Sequence, residues 1–281
     1  MTPPARPKLA SAHAIITGGS SGIGLATAHL LVSRGAAVSL VARGRERLEA
    51  AAAELRSSGG TVAFRTADVC DKAAVETAFT DLERELGKPC DVLVTSAGVA
   101  RPGNFLDLPD EVFHEMMTVD YFGTLHCMRA VLPGMTQRRR GSVVAVSSAA
   151  GLMGIFGYGA YGPAKFAVRG LMESLRAEMA PYGVHVGVVF PPDVNTPQLV
   201  EENRWKPEET RAIAGTIRPL SPEQVAAAIV AGMERRRFVI CPDIGTRVLA
   251  RWGGVLAPVL NAEFDRRVRK VRRHRSRTCT D

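Results

Sequence analysis

The sequence has no Cys-x-x-Cys pair, and its five cysteines, Cys70, Cys90, Cys127, Cys241 and Cys279, are scattered. Such spacing excludes a zinc ribbon or a disulfide framework, so no metal is expected, and it fits a reducing compartment such as the cytoplasm. No run of about 18 uncharged apolar residues occurs, so no membrane-spanning helix is expected. Residues 1–11 (MTPPARPKLAS) lack the apolar stretch of a signal peptide and hold three prolines, which reads as a flexible arm. Aromatic residues make up only 6% of the chain, and none follows Phe264. The basic C-terminus therefore lacks the interleaved aromatics of a nucleic-acid surface, and no nucleic acid is expected as a partner.

Hydrophobic residues are 46% and charged residues 23% of the 281 residues, ordinary for a globular protein able to bury a large core. The net charge of +8 is unevenly placed. Residues 265–281 hold eight Lys or Arg and two Asp, leaving a nearly neutral body with a cationic tail.

Short apolar runs alternate with helix-like stretches. His13–Thr17, Ala37–Val41, Thr61–Arg65, Asp91–Thr95, Ser142–Ser147 and Val184–Phe190 read as strands buried on both faces, with Phe238–Cys241 a weaker seventh. Periodic segments such as Gly22–Ser33, Arg45–Arg56 and Ala73–Leu86 lie between them. This order predicts an α/β, doubly wound parallel sheet of about seven strands, Rossmann-type, with helices on both faces and a C-terminal helical, basic extension. The expected division is a catalytic domain over 12–245 and an apolar segment plus basic tail over 246–281. Residues 191–219, rich in Pro, Glu, Asn and Arg, interrupt the alternation after a strand and read as a lid over a substrate.

Strand one runs into Gly18-Gly19-Ser20-Ser21-Gly22-Ile23-Gly24, and a helix follows. Glycines let the backbone approach a pyrophosphate, and the helix N-terminus supplies N–H donors and positive potential. A glycine turn alone is weak evidence. Its place in a strand–turn–helix unit gives it meaning. At the end of strand two, Ala42 stands where NAD-binding versions carry an acid, and Arg43 and Arg47 follow. Guanidinium groups pair with a 2′-phosphate, so NADPH is the expected cofactor.

After strand five, Ser148 precedes Tyr161-Gly162-Pro163-Ala164-Lys165. Proline is tolerated only in a first helical turn, which starts the helix near Tyr161 and puts Tyr161 and Lys165 on one face. An ammonium beside a phenol is expected to lower the phenol's pKa, suiting it to protonate a carbonyl oxygen, with Ser148 as a second donor. Tyr158, the nearby rival, has Gly162 rather than lysine four residues on.

The glycine loop, Ser148 and Tyr161-x-x-x-Lys165 together resemble the short-chain dehydrogenase/reductase family over about residues 12–241. That resemblance implies a serine–tyrosine–lysine catalytic set, with Lys165 also holding the nicotinamide ribose. It further implies cofactor contacts from Asp68 and Val69 after strand three, from Ala97 after strand four and from Thr196 in Pro191-Pro192-Asp193-Val194-Asn195-Thr196. It also implies a homodimer or homotetramer through the helices flanking the site. Within the family, the lid Glu201-Glu202-Asn203-Arg204-x-Lys206-Pro207-x-Glu209-Thr210-Arg211 is similar to the branch that reduces the C3 ketone of a sphingoid base. A lipid-like ketone is then the expected substrate. A steroid or 3-oxoacyl ketone, or a non-catalytic NADP-binding module, is the alternative. Two positions depart from the family. Asp120 replaces an asparagine of the proton relay, and Thr95-Ser96-Ala97-Gly98 replaces Asn-Asn-Ala-Gly.

The tail carries a last signal. Val248–Leu260 is apolar but interrupted by Arg251, two glycines and a proline, and the basic run follows. An apolar anchor with a basic cluster is a two-signal pattern for peripheral contact with a membrane surface. The competing expectation is an apolar segment packed on its own domain and a solvated tail.

Overall fold

The computed structural model describes residues 9–215 and 218–278. Its seven strands, β1 (His13–Thr17), β2 (Ala37–Ala42), β3 (Val62–Thr66), β4 (Val92–Thr95), β5 (Ser142–Val146), β6 (His185–Val189) and β7 (Val239–Ile240), form one parallel sheet in the order β3-β2-β1-β4-β5-β6-β7. The order reverses between β1 and β4, and the carboxyl ends there open a crevice where such sheets take ligands.

Helices α1 (Gly22–Ser33), α2 (Arg45–Ser57) and α9 (Pro222–Glu234) cover one face. Helices α3 (Lys72–Leu86), α5 (Gly123–Arg138) and α6 (Tyr161–Met179) cover the other. Each face is apolar, so both layers are sealed by burial: Leu31 and Leu48 on one side and Leu82 and Leu93 on the other have no exposed surface. Each such side chain contributes roughly 1.5–3 kcal/mol.

The expectation of strands buried on both faces fails at the sheet's two edges. β3 emerges into solvent at Thr66, and Val239 of the two-residue β7 is exposed, because an edge strand has only one neighbour to cover it. The expected N-terminal arm is also too long at its inner end. Residues 1–8 lie outside the described residues, but Leu9 is buried in the core, and Ser11 donates its N–H to the Gly35 carbonyl.

The lid contains α7 (Pro197–Trp205) and α8 (Glu208–Ala214). Its base is closed where Leu220 donates to Asp193 O and Asn195 donates to Leu220 O. The C-terminal region is one helix, α10 (Ile244–Thr278), the helical and basic extension expected from the sequence, unbroken by the glycines and proline of its apolar part. It runs through Pro258, whose missing N–H leaves the carbonyl of Gly254, four residues earlier, without its helical donor. No helix among the described residues is long and apolar enough to cross a membrane.

Candidate active site

The glycine turn is shaped by contacts that no side chain permits. Gly18 has φ +67°, and a Cβ there would sit 2.7 Å from the backbone of Ser96 and Ala97. A Cβ on Gly24 would sit 2.4 Å from Gly18 O, so α1 presses directly on the turn. Ser21 occupies the N-cap of α1, yet its side chain makes no capping bond. The first-turn N–H groups therefore keep their need for an acceptor.

From this turn a cavity of about 970 Å³ runs to the lid. Gly18, Ser20, Ser21, Gly22, Ile23, Arg43, Arg47, Asp68, Val69, Ala97, Ser148, Tyr161, Lys165 and Thr196 all line it, so one space joins nearly every residue singled out in the sequence. Gly24 and Asp120 are the two that do not. Gly24 packs behind the turn, and Asp120 lies fully buried behind Lys165. At one end Ala42 offers no carboxylate while the exposed Arg43 and Arg47 do offer charge. Asp68 accepts from the Cys70 N–H at 3.0 Å, which with the nearby Arg43 holds its carboxyl below the usual range.

Tyr161 starts α6, with Pro163 in the first turn. The Lys165 Nζ lies 5.4 Å from the Tyr161 ring centroid, 3.3 Å from Asp120 Oδ1 and 3.3 Å from Val146 O. Asp120 reaches this position from a π-helical turn, Met117–Phe122, between α4 (Asp110–Met116) and α5. The extra residue per turn redirects side chains, a distortion concentrated at functional sites. Asp120 Oδ1 also accepts from Val99 N–H at 3.1 Å, whereas its Oδ2 is buried without a protein partner. Gly98 packs against this ion pair, since a Cβ there would come within 2.6 Å of Asp120 Oδ1.

The lowered phenol expected for Tyr161 is not what this environment produces. Burial pushes Tyr161 well above its ordinary value, the charges of Asp120 and Glu202 add to the effect, and hydrogen bonding with Ser148 opposes it. The pull of Lys165 on the phenol is offset here by the opposite charge of Asp120, its ion-pair partner. Burial likewise raises Asp120, against the pull of Lys165.

A second polar group went unrecognised in the sequence. Tyr158, whose ring centroid is 5.7 Å from that of Tyr161, donates its hydroxyl to Glu202. Lys206 Nζ bridges Glu202 Oε1 at 3.0 Å and Asp193 Oδ2 at 2.9 Å. The four-residue step from Glu202 to Lys206 was the local signal. The partners Tyr158 and Asp193 are 44 and 13 residues away in the chain and leave no local mark.

Residues 12–207 match the short chain dehydrogenase family. The chain belongs to that family. Its relatives include a 3-dehydrosphinganine reductase of Danio rerio, 42% identical over 79% of this chain and 68% of the relative. They also include a 3-ketodihydrosphingosine reductase of Dictyostelium discoideum, 36% identical over 92% of this chain and 82% of the relative. Among solved structures, an actinorhodin polyketide ketoreductase with NADPH superposes with a TM-score of 0.74 at 28% identity, covering 83% of this chain and 96% of that one. A short-chain dehydrogenase of Sphingobium yanoikuyae in complex with NADPH gives 0.74 at 28% identity, over 90% and 96%. As a short-chain dehydrogenase this chain is an oxidoreductase, and the seven-stranded parallel sheet expected from the sequence is the one found. The family match ends inside the lid, so α8 to α10 elaborate the domain beyond it.

Proposed function

We propose that this dehydrogenase is an NADPH-dependent reductase of 3-ketodihydrosphingosine. The observation that carries the reading is a single cavity with a cationic, glycine-lined end and a buried Tyr161–Lys165–Asp120 end. The cofactor end fits the group: Gly18 and Gly24 let the turn pack tightly against β4's loop and α1, and the first turn of α1, facing the cavity, is uncapped. Ser20, Ser21, Gly22 and Ile23 would hold the pyrophosphate, Arg43 and Arg47 the 2′-phosphate, Asp68, Val69 and Ala97 the adenosine side, and Lys165 and Thr196 the nicotinamide side. NADPH supplies the hydride when bound.

The chain's own residues supply the rest. Tyr161 donates its hydroxyl proton to the carbonyl oxygen, and Ser148 donates a hydrogen bond to the same oxygen. The buried phenol keeps its proton through the neutral range and so stands ready as the donor for reduction. The reverse oxidation calls for a phenolate, which burial and Asp120 oppose. Lys165 and Asp120 form the polar route behind Tyr161 through which the proton is replaced.

Two measurements test the reading. Cofactor oxidation is followed with 3-ketodihydrosphingosine, a steroid ketone and a 3-oxoacyl thioester in turn, and the first is expected to dominate. A larger rate with either of the others overturns the substrate assignment. Replacing NADPH by NADH is expected to lower kcat/KM by about 100-fold, since two charge-assisted contacts are lost. Arg43→Ala combined with Arg47→Ala is expected to erase most of that preference, and an unchanged preference would move the 2′-phosphate elsewhere.

The reading extends to a membrane surface, on which a long-chain ketone resides. Ile244, Val248, Trp252, Val255 and Val259 are exposed at steps of three or four along α10, one apolar stripe, and the basic residues from Arg266 follow on the same helix. Charge complementarity selects an anionic bilayer, at about 1 kcal/mol per basic residue near the surface. Such contact would be peripheral, on the cytoplasmic face. Deletion of the tail is a poor test, because Arg267 donates to Ala212 and Ile213 carbonyls of the lid and Arg272 meets Glu209. Trp252→Glu with Val255→Glu is better, since both side chains are exposed. Co-sedimentation with phosphatidylserine-containing vesicles is expected to fall several-fold in this variant. Equal pelleting of variant and wild type would remove the membrane contact.

A further inference from the structure

We infer that Glu202, backed by Asp193 and Tyr158, is a subsite for a substrate ammonium group beside the reacting carbonyl. The inference rests on the amino-ketone reading above and names the residue that selects for the amine.

The cavity is electrically polarised. Arg43, Arg45 and Arg47 outnumber Glu46 and Asp68 at one end, whereas at the lid end Asp193, Glu201 and Glu202 outnumber Lys165, which Asp120 already pairs. Glu201 is turned outward to Arg204 and Trp205. Glu202 is turned inward and buried, on α7, with Tyr158 donating to it. Lys206 contacts Glu202 and Asp193 but does not line this cavity; it faces the neighbouring cleft formed with Arg101, Asn104 and Pro207. One ammonium thus serves two carboxylates from behind, and the group keeps a net negative charge toward the substrate side. A clamp that merely fastened the lid would need one carboxylate for one lysine. Tyr158 adds no charge, because burial and Glu202 keep its phenol protonated.

Position gives this charge its meaning. Tyr158 and Tyr161 are ring neighbours, and the fields of both Glu202 and Asp193 reach the Tyr161 phenol. In a 2-amino-3-ketone the ammonium sits on the carbon next to the carbonyl carbon. A ketone oxygen meeting Tyr161 therefore brings its amine into the same small region. The cation neutralises the excess charge there, so it also removes part of what holds the Tyr161 proton back. A neutral ketone gains neither effect, and an anionic acyl thioester is repelled.

The test is substrate selectivity in the full-length protein. For wild type, Glu202→Gln and Glu202→Asp, kcat/KM is measured with 3-ketodihydrosphingosine and with 1-hydroxyoctadecan-3-one, its desamino analogue. Glutamine keeps an acceptor for Tyr158 and loses only charge. The amine-over-desamino preference is expected to fall about 30- to 100-fold in Glu202→Gln, the worth of one charge-assisted contact, and to be largely kept in Glu202→Asp. Asp193→Asn, at a half-exposed position, is expected to lower the same ratio by a smaller factor and serves if Glu202→Gln melts early. A wild-type preference for the amine that neither variant changes would overturn the subsite and leave the reductase reading standing. An equal loss on both ketones would make Glu202 a lid clamp only. Wild type acting on the desamino ketone but not on the amine would overturn both.

Discussion

Tyr161→Phe is expected to lower kcat by about three to four orders of magnitude while the affinity for NADPH stays within about twofold. The magnitude follows from removing the general acid at the carbonyl oxygen, since general acid catalysis supplies about 10²–10⁴ in rate. The fold has little reason to change. Tyr161 packs with Tyr158, Ala150 and Ala160, and phenylalanine retains that ring. Neither the Lys165–Asp120 pair nor the contact of Lys165 with Val146 O depends on the hydroxyl. Steady-state turnover and a fluorescence titration with NADPH separate the two quantities. A variant retaining more than a tenth of wild-type kcat would show that the proton comes from another group. Ser148 is the first alternative to examine.

Lys165→Met is expected to lose turnover and also to destabilise the protein by about 3–5 kcal/mol at neutral pH. That is the range for removing one member of a buried ion pair. Asp120 is fully buried, and after the substitution only the Val99 N–H supports its charge. The loss carries a pH signature. Burial already raises the Asp120 carboxyl above its unfolded value, and removing the lysine raises it further. A raised carboxyl costs nothing below the unfolded value near 3.8 and costs progressively more as pH rises through the folded value. The stability gap between wild type and Lys165→Met therefore narrows on acidification. The double variant Asp120→Asn/Lys165→Met buries no charge and is expected to recover most of the stability without recovering turnover. Asp120→Asn alone is expected to keep or raise turnover, because it removes the second-largest influence holding the Tyr161 proton. Urea denaturation at several pH values, with rates in parallel, measures all of this. A folded but inactive Asp120→Asn protein would show that the carboxylate itself carries the relay.

What the sequence discloses and what it hides divide along contact order. β1 and α1 fall where the apolar run and the periodic segment place them, because both depend on residues close in the chain. The Tyr161–Lys165 face follows from Pro163 and a four-residue step, again local. The π-helical turn that aims Asp120 is only six residues long, too short a stretch for its shifted side-chain phase to be read from the sequence. Gly98 reads as a loop glycine until the ion pair it packs against is seen. The direction of the Tyr161 shift was misjudged for the same reason. The local neighbour is a lysine, while the compensating aspartate arrives from another helix. Tyr158 was set aside for lacking a lysine, and its true partner, Glu202, comes from the lid. The C-terminal extension reads as helical and basic in the sequence, but its glycines and proline, which break helices on average, conceal that it is one continuous helix through Pro258.

The most direct test of the central claim follows isotope from NADPH deuterated at the transferable C4 position, with 3-ketodihydrosphingosine as sole acceptor. Dihydrosphingosine carrying one deuterium on C3 is expected from wild type and is expected to be virtually absent with Tyr161→Phe. Alcohol without deuterium at C3, or undiminished labelling by the Tyr161→Phe protein, would contradict that claim.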